Sequence, residues 1–373
     1  TEKGNAKDVI KHTQTQFNAN KTNLNLRLLL ARMYSLNSQL DKTVSLLSDV
    51  EGNEASPQAF WNLKGQALIA TNNVEDATAF FDRWLSFYPQ DKNAVLGKLL
   101  IVDSQKQFDQ GLTLTNKVLA KRPDAQLTLL KAYFHSRLGQ AKPAWEIINS
   151  TADDVKALPF VRGVIARLHL IDKAPEQAVE HAQAAYDATP NSDNALLLIA
   201  ALEMSGKKAQ AFTFLEKHVQ AHSNDIPSAM LLAERQIGKD RAAAIKTYEQ
   251  VLTKTPDNFV VLNNLAYLAF EDKNLTRAEE LAKKAVSLQR ENADAVDTLA
   301  QIYVAKGDKA AALKLYEEVS ARPIANDDVY LNHVSVLLEL DKKALASRKL
   351  ASREFKSEAA KQRAESLKQQ YGL

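Results

Sequence analysis

Ten small residues recur along the chain at one phase. Thr43, Ala77, Gly111, Ala144, Ala178, Ala211, Ala244, Ala278, Ala312 and Ala346 are separated by steps of 33 or 34 residues. A position that must stay small at constant spacing is where two helices cross closely, because a larger side chain pushes their axes apart. Apolar residues flank it at intervals of three and four. Trp61, Gly65 and Leu68 precede Ala77, Phe81 and Trp84; Val296, Leu299, Ala300 and Tyr303 precede Ala312, Tyr316 and Val319. Such spacing gives each helix one apolar stripe. Self-similarity at this period marks an array of helix–turn–helix units.

The ten prolines keep the same period. Pro89, Pro123, Pro190, Pro256 and Pro323 are separated by 34, 67, 66 and 67 residues. They are expected after second helices, where proline lacks the N–H that would continue a helix. Pro57, Pro159 and Pro227 are expected just ahead of first helices, and Pro143 and Pro175 at the opening of second helices, where the N–H would be unpaired anyway. Gly139, Gly206 and Gly307 fall in the turn inside a unit, where a left-handed backbone costs glycine little.

These residues closely resemble the tetratricopeptide-repeat family, whose 34-residue unit reads W-x2-L-G-x2-Y, then alanine, an aromatic residue and a closing proline. The unit from Trp61 to Pro89 has the tryptophan, glycine, alanine, aromatic and proline, with Lys64 and Leu68 where leucine and tyrosine are usual. The unit from Ser228 to Pro256 keeps Leu231, Ala244, Tyr248 and Pro256. The resemblance implies an all-α fold, a right-handed α-solenoid superhelix of about ten helix pairs over residues 23–356. Residues 1–22 carry Ala6, Ile10 and Thr13 in the phase of a second helix and read as the remnant of a preceding repeat, so the chain reads as part of a longer polypeptide. Residues 357–373 read as a capping helix, with Ala360, Ala364, Leu367 and Tyr371 toward the last repeat and Lys361, Arg363, Glu365 and Lys368 toward water.

Chemistry is sparse. There is no GxxxxGK[ST], HExxH, GxSxG or GxGxxG pattern, and no cysteine. His218 and His222 share a helix face, but no third ligand joins them in sequence, so they read as surface histidines. His135 and His169 read as packing at helix–helix seams. Trp61, Trp84, Tyr34, Tyr248, Tyr303 and Tyr316 fall at repeat-phased positions and read as core rather than a base-stacking platform. A net charge of +3 gives no bulk attraction to nucleic acid. No stretch approaches the roughly 20 apolar residues needed to cross a bilayer, so membrane attachment would require an anchor outside this chain. Neither an enzyme activity nor a metal or other cofactor is expected.

Function is then expected on the groove lined by first helices. Two residues per first helix, four apart, are expected to face it: Leu28/Arg32, Asn62/Gln66, Leu96/Leu100, Leu129/Tyr133, Gly163/Arg167, Leu196/Ala200, Ala229/Ala233, Asn263/Tyr267, Asp297/Gln301 and Leu331/Ser335. Leu96, Leu100, Leu129 and Tyr133 form an apolar stretch bordered by Arg137 and Arg167, although such leucines serve equally to pack a neighbouring repeat. Asn263, Tyr267, Asp297 and Gln301 are suited to a peptide backbone or a glycan. No three consecutive units supply the lysine, asparagine and arginine that clamp a terminal carboxylate in chaperone-binding adaptors.

A narrower resemblance covers about residues 256–340. Leu262-Asn263-Asn264-Leu265-Ala266-Tyr267 and, one repeat later, Asp297-Thr298-Leu299-Ala300 are similar to the "NNLAW" and "DTLGW" of lipoproteins of the PEP-CTERM exosortase and exopolysaccharide system. This chain has Tyr267 for the first tryptophan and Ala300-Gln301 for glycine-tryptophan. The resemblance implies a periplasmic or envelope scaffold linked to export of exopolysaccharide or surface proteins. The expectation is a non-enzymatic scaffold that binds a protein or extended peptide. A cytoplasmic adaptor and a polysaccharide-binding protein of the same fold are the alternatives.

Overall fold

The computed structural model describes residues 2–320 and 324–373, with side chains from residue 7 onward. Among these residues there are 23 helices and no strand, an α-solenoid of stacked helix pairs. Contacts divide the chain into two compact units, residues 1–190 and 191–373.

Unit 1 opens with α1 (Glu2–Ala19), then pairs α2 (Leu24–Leu36) with α3 (Leu40–Leu47), α4 (Gln58–Ala70) with α5 (Val74–Phe87), α6 (Lys92–Ser104) with α7 (Phe108–Leu119), and α8 (Ala125–Arg137) with α9 (Ala141–Asn149). The single turn α10 (Asp153–Lys156) precedes its last pair, α11 (Pro159–Ile171) with α12 (Pro175–Ala188). First helices pack side by side, α2 on α4, α4 on α6 and α8 on α11. Unit 2 pairs α13 (Ser192–Met204) with α14 (Lys208–Ala221), α15 (Ile226–Ile237) with α16 (Arg241–Lys254), α17 (Phe259–Glu271) with α18 (Leu275–Leu288), α19 (Ala293–Ala305) with α20 (Lys309–Val319), and α21 (Asp327–Glu339) with α22 (Lys343–Ala351). It closes with α23 (Glu358–Tyr371), which packs on α21 and α22.

The small-residue register sits at the helix crossings. Its nine non-glycine members are at most 1% exposed. At Gly111 an added Cβ would lie 2.5 Å from Cε1 of Phe134, so that crossing admits no side chain at all. Thr43 is accommodated because its Oγ1 donates to the Ala31 carbonyl at 3.3 Å.

The turn inside each pair follows from hydrogen-bond geometry. In α17, the Lys273 N–H bonds to the Phe270 carbonyl and the Asn274 N–H to that of Ala269, the two bonds of a left-handed helix terminus. Asn274 is also the N-cap of α18, where its side chain accepts from the Arg277 N–H. One residue thus closes one helix and opens the next. The left-handed position is Gly139, Gly206 and Gly307 in three units, as the glycine phase implies, with φ of +71°, +78° and +85°. In six others it is Ser38, Asn72, Lys106, Lys173, Lys273 or Asp341, all at positive φ. The pair α15–α16 departs from the pattern, because Gly238 falls one residue early and keeps φ −81°. Replacing Lys106 (φ +58°) by glycine removes a strained side chain and is expected to raise stability by about 0.5–1 kcal/mol, read as a higher urea midpoint. Gly206→Ala should lower it by a similar amount.

Between pairs the rule is different. Eight first helices begin on an Asn or Asp N-cap: Asn23, Asp91, Asp124, Asn191, Asp225, Asn258, Asn292 and Asn326. The exceptions, Pro57 and Leu158, follow the two irregular connections left by the short α3 and α9. In the first of these, Lys64 Nζ donates to the carbonyls of Leu47 (2.8 Å) and Val50 (3.0 Å), and Arg83 Nε to that of Gly52 (2.6 Å). Lys64 therefore occupies the usual leucine position because it caps a helix that ends early; its burial lowers its pKa. The prolines need one refinement. Pro159 and Pro227 lie inside the first turn of their helices rather than ahead of it, where proline is equally tolerated. Pro323 and the side chain of Ala6 lie outside the described residues.

Candidate functional site

Counting from the start of each first helix, positions 2, 5, 9 and 12 lie on one side. In unit 1 this side carries an exposed apolar patch. Leu100 on α6 is 58% exposed and Phe160 on α11 is 45% exposed. The Phe160 ring lies 5.6 Å from that of Tyr133 on α8. Leu96 is only half-buried, against the cluster of Val95, Leu99 and Phe134, and Leu129 packs on the cluster around Ile148 and Val164. Those two leucines serve the core as well as the face. The Tyr133 hydroxyl donates to Asp103 at 2.7 Å and accepts from Arg137 Nη1 at 2.9 Å. Arg137 stacks on Phe108, 4.3 Å from the ring centroid, so it is folded onto the patch rather than bordering it as a free cation. Arg167 is half-buried.

In unit 2 the same side is polar. Tyr267 on α17 is 51% exposed beside Val260, which is 43% exposed. The carboxamide oxygen of half-buried Asn263 is sealed from water and has no hydrogen-bond partner. Asp297 on α19 accepts from the Tyr316 hydroxyl at 2.5 Å and from Asn332 Nδ2 at 2.9 and 3.0 Å. Gln301 Nε2 donates to the same hydroxyl at 2.9 Å, and Arg363 Nη2 to Asn332 Oδ1 at 2.5 Å. Burial raises the pKa of Asp297 despite these donors, and burial next to that carboxylate raises that of Tyr316. Asp297 and Gln301 are therefore members of an internal network, not free groove donors.

Several sequence expectations need correction. Ala229 and Ala233 are 5% and 0% exposed; the step between α13 and α15 is one residue longer than the pairing assumed, so Met230 and Glu234 take the face. Leu331 is fully buried and Leu28 nearly so, because both fill the seam with a neighbouring pair. Arg363 does not point only to water: it reaches Asn332 on α21. His218 is not at the surface. It is 2% exposed and its Nε2 lies 2.7 Å from Asp225, whose carboxylate also accepts from the Ser228 N–H and Oγ. Burial pushes the Asp225 pKa up, but these hydrogen bonds outweigh it and hold it below the usual range. The His222 ring stacks on His218 at 4.6 Å. Phe160, Val260 and Asn332 lie outside the two positions per helix that a four-residue spacing selects. Asp225 meets His218 because the chain reverses between α14 and α15. Among the described residues, no group of three or more His, Cys, Asp or Glu side chains is arranged to hold a metal ion, and no helix is long and apolar enough to cross a membrane.

Residues 44–92 and 231–296 match the family model described as "Tetratricopeptide repeat". The chain is 23% identical over 276 residues to tetratricopeptide repeat protein 21B of Xenopus laevis, an alignment that takes in 66% of this chain but 21% of that protein's length. Similar solved structures include the APC/C hetero-tetramer Cut9–Hcn1 (TM-score 0.47, 12% identity, 97% of this chain and 87% of that chain). MamA from Desulfovibrio magneticus RS-1 aligns at TM-score 0.38 and 19% identity over 44% of this chain and 93% of its own. PilF of Pseudomonas aeruginosa aligns at TM-score 0.44 and 15% identity over 54% and 92%.

Proposed function

We propose that this chain, which carries tetratricopeptide repeats in both of its units, is a non-enzymatic scaffold that binds a partner protein or extended peptide on the faces of its first helices. The observation that carries this reading is the unit 1 patch. Leu100, Tyr133 and Phe160 come from three first helices, and two of them are large apolar side chains about half exposed. Large apolar side chains left in water on one helix face are what interaction sites present. Leu100→Asp should abolish capture of the partner from the native host while leaving helicity and thermal midpoint unchanged. Undiminished capture would overturn the assignment of this face; a collapse of helicity would make Leu100 a core residue.

We also place the scaffold in a bacterial envelope assembly linked to export of exopolysaccharide or surface proteins. The support is the likeness of residues 256–340 to the envelope lipoproteins, carried by Asn263, Asn264 and Asp297. Recovery of the native protein in the cytoplasmic fraction alone would exclude that address and favour the adaptor.

A further inference from the structure

The two units differ in the charge of their first-helix faces. In α13, α15, α17, α19 and α21, positions 2, 5, 9 and 12 hold six acids (Asp193, Glu203, Glu234, Asp294, Asp297 and Asp328) and no base. The same positions of α2, α4, α6, α8 and α11 hold one acid, Asp103, and two bases, Arg32 and Arg167. The acidity is local, since unit 2 as a whole is nearly neutral.

Cations of the fold neutralise only part of it. Arg235 holds Glu203 through two bonds of 3.0 and 3.1 Å, and Arg363 lies 3.5 Å from Asp328. Among the described residues Glu234, Asp294 and Asp297 form no ion pair, although the Arg363 charge reaches Asp297. Asp294 accepts from the neutral Asn326 at 2.9 Å, and Asp297 from Tyr316 and Asn332. Arg241, at the start of α16, is bound to Asp272 at 2.7 Å. These three carboxylates sit on α15 and α19. Between them, α17 presents Val260 and the Tyr267 ring, more than half in water. The N-cap Asn258 of α17 reaches Met230 on α15, its Nδ2 lying 3.7 Å from the thioether sulfur.

From this arrangement we infer that the α15–α17–α19 face takes a basic, extended polypeptide segment, whose lysine or arginine side chains meet Glu234, the Tyr267 ring and Asp294 in turn along the face. Exposed carboxylates and an exposed aromatic ring on one face suit a basic segment by charge and by the ring quadrupole together. The inference rests on the proposed scaffold reading and specifies the partner of one face.

The test uses the full chain and fluorescein-labelled 12-residue peptides of one scaffold sequence, with alternate positions Lys/Arg, Gln or Glu, read by anisotropy. The basic peptide should bind, and salt should weaken it. Tyr267→Ala should weaken it roughly tenfold, with Tyr267→Phe close to wild type. Glu234→Lys with Asp294→Lys should reverse the preference toward the Glu peptide; both positions are exposed, so the fold is retained, as circular dichroism will verify. Equal binding of all three peptides, lost on Tyr267→Ala, keeps the scaffold reading and overturns the charge assignment. Binding of the basic peptide untouched by every variant overturns the site. If no peptide binds but a neutral oligosaccharide does, and loses affinity in Tyr267→Ala, both the charge assignment and the peptide reading of this face fall.

Discussion

Gly97→Ala is expected to destabilise unit 1 by about 2–3 kcal/mol, a large effect for one methyl group. The added Cβ would lie 2.1 Å from Cε1 and 2.3 Å from Cζ of Phe81. That ring has nowhere to go. On its other side a Cβ at Gly65 would already meet it at 2.8 Å, and its faces are taken by Trp84, stacked at 5.6 Å, and Phe80, edge-on at 5.6 Å. Two glycines on adjacent first helices thus clasp one phenylalanine of the second helix between them. Trp61 and Trp84 belong to the same cluster, so their fluorescence in a urea titration reports the loss directly. A double-mutant cycle makes the mechanism visible. Phe81→Ala alone should cost about 3–5 kcal/mol, and in that background Gly97→Ala should cost well under 1 kcal/mol. Additive losses would show that the ring is not what excludes the methyl group.

The second large effect is of pH, and it falls on unit 2. His333 is 2% exposed and stacks on Tyr316 at 5.1 Å; among the described residues its Nδ1 meets the Ser320 hydroxyl and its Nε2 has no partner. Burial, with help from the Lys349 charge, lowers its pKa to about 4. In the unfolded chain it returns to about 6.5. Between those values the unfolded state binds the proton and the folded state does not. The contribution is therefore complete above about pH 6.5 and declines as pH falls toward 4, a loss of about 3 kcal/mol in all. Asp297, raised by burial, acts in the opposite sense, so the His333→Gln variant isolates the histidine. It should be weaker at pH 7 through lost packing, yet show a flatter slope between pH 6.5 and 4. All three tryptophans, Trp61, Trp84 and Trp145, lie in unit 1. Acid loss of helicity in unit 2 should thus precede any change in tryptophan emission, since pairs in such arrays interact chiefly with neighbours. Simultaneous changes in both signals, or an unaltered slope in His333→Gln, would contradict the assignment.

The fold was legible because its strongest constraint is periodic. Ala144, Ala244 and Ala312 reveal helix crossings by spacing alone, and all are sealed. A second periodic signal is present too: the Asn and Asp N-caps recur at one or two steps of 33 or 34 residues from Asn23 to Asn326, skipping only Pro57 and Leu158. Counted from Asp225, they put Glu234 rather than Ala233 on the face. The sites were less legible because they depend on side chains meeting across repeats. Nothing in the local sequence of Asp297 says that Tyr316 and Asn332 will saturate it, nor that Arg363 of the closing helix will hold Asn332. Likewise Asp225 is an ordinary N-cap in sequence, and only the fold brings His218 against it.

Within a pair, the residue that terminates one helix also initiates the next, as Asn274 does between α17 and α18. Neither end can be lengthened without unmaking the other, so the hinge of such a pair is a rigid mechanical part of fixed size. The connections between pairs carry no such double duty; the stretch from Ser48 to Pro57 is held by Lys64 and Arg83 from outside itself. A foreign loop or fluorescent tag is better borne there, at exposed Ala55, where it gives up only the local turn between Asn53 and Ser56. The same insertion beside Asn274 would disengage two helices at once.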